Sequence, residues 1–235
     1  FDISDTEDGQ TVQLDGSATI TTLTTTGNGY NVSLLGGGTI TNDPNFLNTG
    51  TLQIGDGSGD STTFSGGLRT NAVSGTTLGG TIADGGANQL TFGGVTLTAA
   101  TTLDSQGGNI AMSSLAGGNQ DLTIAAGVAA GTTTVIGNVA ALGDGTGAAL
   151  TVDNAATGLV DFQGTFGANS GLVAGAATSV KFAGDVTLAD GDTATNLAGA
   201  VTLDGLNWSG YDGLTTAALT LSTGAVAIDS QGSNI

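Results

Sequence analysis

Carboxylates are the reactive groups this chain has in quantity: twenty Asp and Glu against one Arg and one Lys, with no His and no Cys, for a net charge of -18. Three groups stand close in sequence. Asp2, Asp5, Glu7 and Asp8 open the chain, Asp56 and Asp60 flank glycines, and Asp190 and Asp192 flank Gly191. Paired carboxylates at a fixed separation are what a glycosidase needs. A lyase also needs a cation to take a proton or steady an enolate, and only Arg69 and Lys181 could serve. Hard cations such as calcium take the same oxygens on flexible loops, which makes Asp56, Asp60, Asp190 and Asp192 the candidate metal residues. The competing reading is simpler: Asp beside Gly is an ordinary turn residue. On that reading no catalytic residue and no resident cofactor is expected, and calcium is the one ion the spacing allows. No nucleophile paired with an imidazole, no thiolate or imidazole metal site and no disulfide can be built.

Two cations cannot form a nucleic-acid surface, and an anionic membrane surface would repel this charge. No apolar run is long enough for a membrane-spanning helix, so no membrane insertion is expected. Trp208 and Tyr211, in Asn207-Trp-Ser-Gly-Tyr211, are candidate contact residues for a sugar; the alternatives are a wider core layer or a subunit contact. Threonine pairs such as Thr19-Ile-Thr21, Thr39-Ile-Thr41 and Thr96-Leu-Thr98 place two hydroxyls on one strand face. Their irregular spacing argues against a flat ice-binding face, and β-propensity accounts for them.

The elements that must position these groups are short strands. Glycine numbers 43, threonine 40, and charged residues only 9% of 235. Thr11-Val-Gln-Leu14, Thr51-Leu-Gln-Ile54, Gln89-Leu-Thr-Phe92, Ala149-Leu-Thr-Val152 and Ser179-Val-Lys-Phe182 alternate apolar with polar. Asn-Gly and Asp-Gly turns separate them, and about twenty such strands are expected. The Ala-rich runs Ile124–Ala130 and Leu172–Ala177 read as buried strands, and at most one short helix fits, near Asp43–Leu47. With 4% aromatics, a narrow core suits the composition.

Repetition carries the fold assignment. Leu103-Asp-Ser-Gln-Gly-Gly-Asn-Ile110 returns as Ile228-Asp-Ser-Gln-Gly-Ser-Asn-Ile235, and Phe92-Gly-Gly-Val-Thr-Leu97 returns as Phe182-Ala-Gly-Asp-Val-Thr-Leu188. A looser beat through Phe64, Phe92, Leu122, Leu150, Val180 and Trp208 suggests a coil of roughly 28–30 residues. The expected fold is all-β: a right-handed parallel β-solenoid of about eight coils, roughly 40 Å long, as one repetitive segment over 1–235. Stacked β-sandwich repeats are the alternative, since the same turns suit hairpins. In the solenoid, Leu103, Ile110, Leu122, Ile124, Leu150, Val152, Val180, Phe182, Val186 and Leu188 point inward.

The stretch from Phe92 to Ile110, with its Val-Thr-Leu, Thr-Thr-Leu and Gly-Gly-Asn-Ile elements, resembles the repeat regions of large bacterial surface proteins, the filamentous-haemagglutinin-like and autotransporter adhesins. The likeness is one of repeat style and extends loosely over 50–235. The composition is also similar to that of acidic surface-layer proteins. The resemblance implies a non-enzymatic stalk or adhesive scaffold displayed outside a bacterial cell, as part of a longer chain. A self-assembling surface-layer or filament subunit is the alternative, and a solenoid carbohydrate-active enzyme a third. Its partners would be neighbouring repeats, copies of itself head to tail, or a host or surface glycan.

Overall fold

Among the described residues every strand pairing is parallel, and each strand pairs with the strand about one coil away in sequence. The computed structural model describes residues 1–4, 6–125, 133–153, 158–205, 207–211, 213–222 and 226–231. Among them lie 24 strands and no helix. The strands form three columns. The first runs Val12–Val32–Leu52–Thr76–Val95–Leu115–Val139–Phe166–Val186–Trp208–Ile228, each paired with the next. The second contains Ile82–Leu103–Ile124–Val152–Ala174–Leu197. The third contains Leu68–Leu90–Ile110–Thr134–Val160–Val180–Val201–Leu219. The chain visits the columns in rotation, which makes it a β-solenoid of about ten coils, roughly 50 Å long at the ~4.8 Å strand spacing.

The coil is shorter than the 28–30 residues the sequence beat suggests. Paired residues are mostly 19–24 apart, as in Val12↔Val32 and Thr76↔Val95. Of the six beat residues only Leu122 and Leu150 are direct partners. Phe64 lies on the second column, Phe92 and Val180 on the third, and Trp208 on the first. The beat mixes columns because all three alternate apolar and polar residues in the same way. The repeated octapeptide explains part of the confusion. Asp104 accepts from the Gln106 backbone N–H (3.0 Å) and side-chain amide (2.6 Å), and Asp229 does the same with Gln231 (2.9 and 2.7 Å). Both glutamines sit at positive φ, 49° and 50°. Yet Leu103 leaves the second column and Ile228 the first. The motif is a portable corner, not a marker of coil phase; residues 232–235 of its second copy lie outside the described residues.

All ten residues expected to face inward are buried. Two local expectations are corrected. Asp43–Leu47 forms no helix: Asn45 bridges Arg69 in parallel, and Phe46 points into the core. The run from Leu172 leaves its strand after Ala174, and Ala176 and Ala177 are exposed around a turn closed by the Thr178 N–H on the Gly175 carbonyl. The other Ala-rich run passes into 126–130, outside the described residues.

Packing differs between the two ends of the rod. Near the C-terminal end, Phe162, Phe166, Phe182 and Trp208 form an aromatic cluster. Phe182 stacks on Phe162 (5.1 Å, 14°) and meets Phe166 and Trp208 edge-on (5.4 Å each). Near the other end the inward track is Ala18–Gly38–Thr62. Gly38 has φ 120°, and a Cβ there would lie 2.0 Å from the Ala18 carbonyl oxygen. These small residues leave a cavity of about 10 Å³ beside Leu14, Ile20, Leu34 and Ile40, where the buried Thr62 hydroxyl has no hydrogen-bond partner.

Two outcomes follow from this packing. Phe182→Ala removes the ring that touches three others and should destabilise the fold by about 3–5 kcal/mol, read from the urea midpoint; a loss under about 1 kcal/mol would mean that the cluster does not bear on stability. Thr62→Val replaces an unpartnered hydroxyl with a methyl of the same shape and should stabilise by about 1 kcal/mol. A fall in melting temperature would show that the hydroxyl has a partner.

Candidate functional site

The acidic corners between the first and second columns hold the four candidate metal residues. In the turn after Thr51–Ile54, the Asp60 Oδ2 accepts from the backbone N–H groups of Asp56 and Gly57, both at 2.9 Å. Those bonds hold its carboxyl below the usual value, Asp56 N–H contributing most. Asp56 itself is exposed. In the other corner Asp190 and Asp192 are exposed, and the Asp192 Oδ1 accepts from Gly147 N–H at 2.5 Å and the Thr193 hydroxyl at 3.3 Å. Six strand steps separate the two corners along the first column, about 29 Å, so the pairs do not combine. Among the described residues, no group of three or more acidic side chains is arranged to hold a metal ion.

One acidic constellation was not legible as such in the sequence. The loop from Gly143 to Ala149 carries Gly143, Gly145 and Gly147 at positive φ (88°, 92° and 72°), a conformation only glycine adopts readily. Its N–H groups point at carboxylates from three levels of the rod. Asp144 N–H reaches Asp121 (3.4 Å), Thr146 N–H reaches Asp144 (2.7 Å), and Gly147 N–H reaches Asp192. Asn169 and Ser170 donate to the Gly143 and Gly147 carbonyls at 2.7 and 2.6 Å. Asp121 pays for this position: partial burial, then the charges of Asp144 and Asp192, push its carboxyl above the ordinary value, against the opposing pull of the Asp144 N–H. The glycine alternation at 143, 145 and 147 was the available signal, but it names a loop and not its distant partners. Chemically the constellation binds backbone, and a cation would have to compete with those N–H donors for the same oxygens.

Both basic residues are engaged. Arg69 pairs with Asp43, and Lys181 lies 3.2 Å from Asp204, which also accepts from Ser222 at 2.7 Å. They share the outer side of the third column, five steps apart through Thr91, Ala111, Val135 and Asp161, about 24 Å. They cannot serve one reacting centre. Of the opening cluster, Asp8 accepts from Gly29 N–H at 2.6 Å and Asp2 from the Thr24 hydroxyl at 2.6 Å, while Asp5 lies outside the described residues.

Trp208 and Tyr211 part company. Trp208 is 3% exposed, inside the aromatic cluster, while Tyr211 is 42% exposed. Strand alternation separates them: Trp208 faces inward, and Tyr211 follows the strand at the corner. Threonines that look irregular in sequence come into register. Thr81, Thr102, Thr123 and Thr151 stack directly on the outer side of the second column, above Ser61. Each extra residue in a coil is taken up at a corner, so unequal sequence spacing still yields an even ladder of cross-strand pairs. The Thr-x-Thr pairs themselves are divided: Thr19 and Thr39 lie on the second column and Thr96 on the first.

The chain matches no protein-family model, no curated protein and no solved structure.

Asp121 and Asp60 give opposite pH responses. A raised folded-state value means that ionised Asp121 opposes folding above that value, and the penalty disappears below the unfolded value of 3.8. Asp121→Asn keeps an oxygen for the Asp144 N–H, so it should raise the melting temperature at pH 7 and lose that advantage below about pH 3.8. The lowered value of Asp60 means that its stabilisation is full above 3.8 and is lost as pH falls through the folded value. Asp60→Ala should therefore lower the melting temperature at pH 7 and converge with the parent in acid. Thermal melts across pH 2–7 check both, and a pH-independent difference in either variant would refute its assignment.

Proposed function

We propose that the chain is a non-enzymatic structural or adhesive segment of a bacterial extracellular surface protein, acting as a stiff stalk or scaffold. The observation that carries this reading is the parallel ladder of the first column, which runs without a gap from Val12 to Ile228. Bending the rod means breaking backbone hydrogen bonds between its levels. The candidate reactive groups support it, because Asp60 and Asp192 accept from loop N–H groups and both cations are paired within the rod. The repeat style supports the surface location. The outer faces offer hydroxyls and small side chains, a surface suited to neighbouring repeats of the same kind or to a host or surface glycan.

Small-angle scattering of the monomer is the test of stiffness. A rod roughly 50 Å long, of equal length at low and high salt, is expected; a flexible profile would overturn the stalk. Release of sugar from acidic glycans by the purified chain would overturn the non-enzymatic part. Failure of an antibody against this chain to label intact cells of its source would overturn the surface location.

A further inference from the structure

Several polar side chains in this rod are spent on its own backbone. Asn138 accepts from the Thr165 N–H (3.0 Å), Asn169 donates to the Gly143 carbonyl (2.7 Å), and the Thr101 hydroxyl donates to the Ala99 carbonyl (2.9 Å). One row is different. On the outer side of the second column Thr123 pairs with Thr151, Thr151 with Val173, and Val173 with Asn196. These four residues line a groove of about 500 Å³, together with Asp153 and Ala176. Among the described residues, the side chains of Thr123, Thr151 and Asn196 make no hydrogen bond. A groove of this size is within the range that holds a small ligand or a stretch of a larger one.

The chemistry of the lining narrows the ligand. Thr123, Thr151 and Asn196 both donate and accept, and the Asp153 carboxylate only accepts. Val173 and Ala176 set methyl groups among them. A sugar presents the complement: hydroxyls around its edge and C–H groups on its faces. No basic side chain lines the groove, since Arg69 and Lys181 both lie on the third column. With a net charge of -18, the rod repels an acidic polymer, so the sugar must be uncharged. The groove also does not end at Thr123. Thr102 and Thr81 continue the row below it, one hydroxyl per level at about 4.8 Å. From Thr81 to Asn196 the row takes five steps, about 24 Å, which suits an extended chain better than a single ring. The exposed Tyr211 follows a strand of the first column and does not line the groove.

We propose that this groove and the hydroxyl row below it bind an uncharged linear polysaccharide, laid along the rod. The proposal rests on the adhesive reading given above and assigns that reading a site. Each hydroxyl contact is weak by itself, because it replaces a hydrogen bond to water. Affinity therefore comes from the row acting together on successive sugars, and a long chain binds better than a short oligosaccharide. Asp153 accepts a sugar hydroxyl, and its charge strengthens that bond.

The negative charge lets the full chain migrate in a native gel, which makes affinity electrophoresis a direct test. Gels are cast with hydroxyethyl cellulose, glucomannan, galactomannan or soluble starch, and with hyaluronate as the acidic polymer. At least one uncharged polymer should retard the chain, and hyaluronate should not; the polymer that does so identifies the linkage. Thr123→Val with Thr151→Val keeps the shape of both side chains and removes the hydroxyls, so it should weaken the apparent affinity about tenfold. Thr187→Val, on the outer side of the first column, should leave it unchanged. Circular dichroism checks that both variants keep the parent fold. Retardation by none of the uncharged polymers, or as strongly by hyaluronate, would overturn the proposal. Equal retardation of the double variant and the parent would also overturn it, by placing the contact elsewhere. None of these outcomes alters the length of the rod in scattering or the labelling of cells, so failure of this site is distinct from failure of the stalk reading.

Discussion

Backbone hydrogen bonds between successive coils are the interaction on which the rest of this structure depends. They run along the rod, so each strand must find a parallel partner above and below, about one coil away in sequence. No coil can bury its apolar face by itself, and stability accumulates level by level. That single requirement explains why short strands of three or four residues suffice, and why helix formers are dispensable.

The corners absorb everything that the ladder cannot tolerate. Coils of unequal length keep the columns in register because extra residues leave the sheet at a turn. A turn must still satisfy its N–H groups, and the aspartates do this. Asp60 closes a local turn on its own backbone, whereas Asp121 and Asp192 reach the loop at 143–149 from other levels. Part of the net charge of -18 thus follows from how the corners are built. Its cost is visible at Asp121, where neighbouring carboxylates and partial burial work against ionisation.

Interior composition varies along the rod while the ladder stays the same. The Phe162, Phe166, Phe182 and Trp208 cluster fills one end with large rings, and Ala18, Gly38 and Thr62 leave the other thinly filled. A ladder fixes strand spacing but not strand-to-strand distance across the core. The core can therefore be wide where rings are stacked and narrow where glycine brings backbones together.

By itself the sequence determined the fold class and which side chains face inward. Alternation such as Leu122-Thr-Ile124 states which face is buried whatever the strand pairs with, and a small-residue, turn-rich composition leaves little but β-structure. It did not determine which strand lies on which. Phe64 and Phe92 carry the same local pattern on different columns, and one Asp-x-Gln corner serves two different junctions, so neither could report the length of a coil. The same limit held for the sites. Asp56 and Asp60 could be paired by eye because their contact is local. The meeting of Asp121, Asp144 and Asp192 over 71 residues, and the even stack of Thr81, Thr102, Thr123 and Thr151, exist only once the register is set. Register is a property of hydrogen bonds between distant segments, and short, mutually similar strands write too little of it into their own residues.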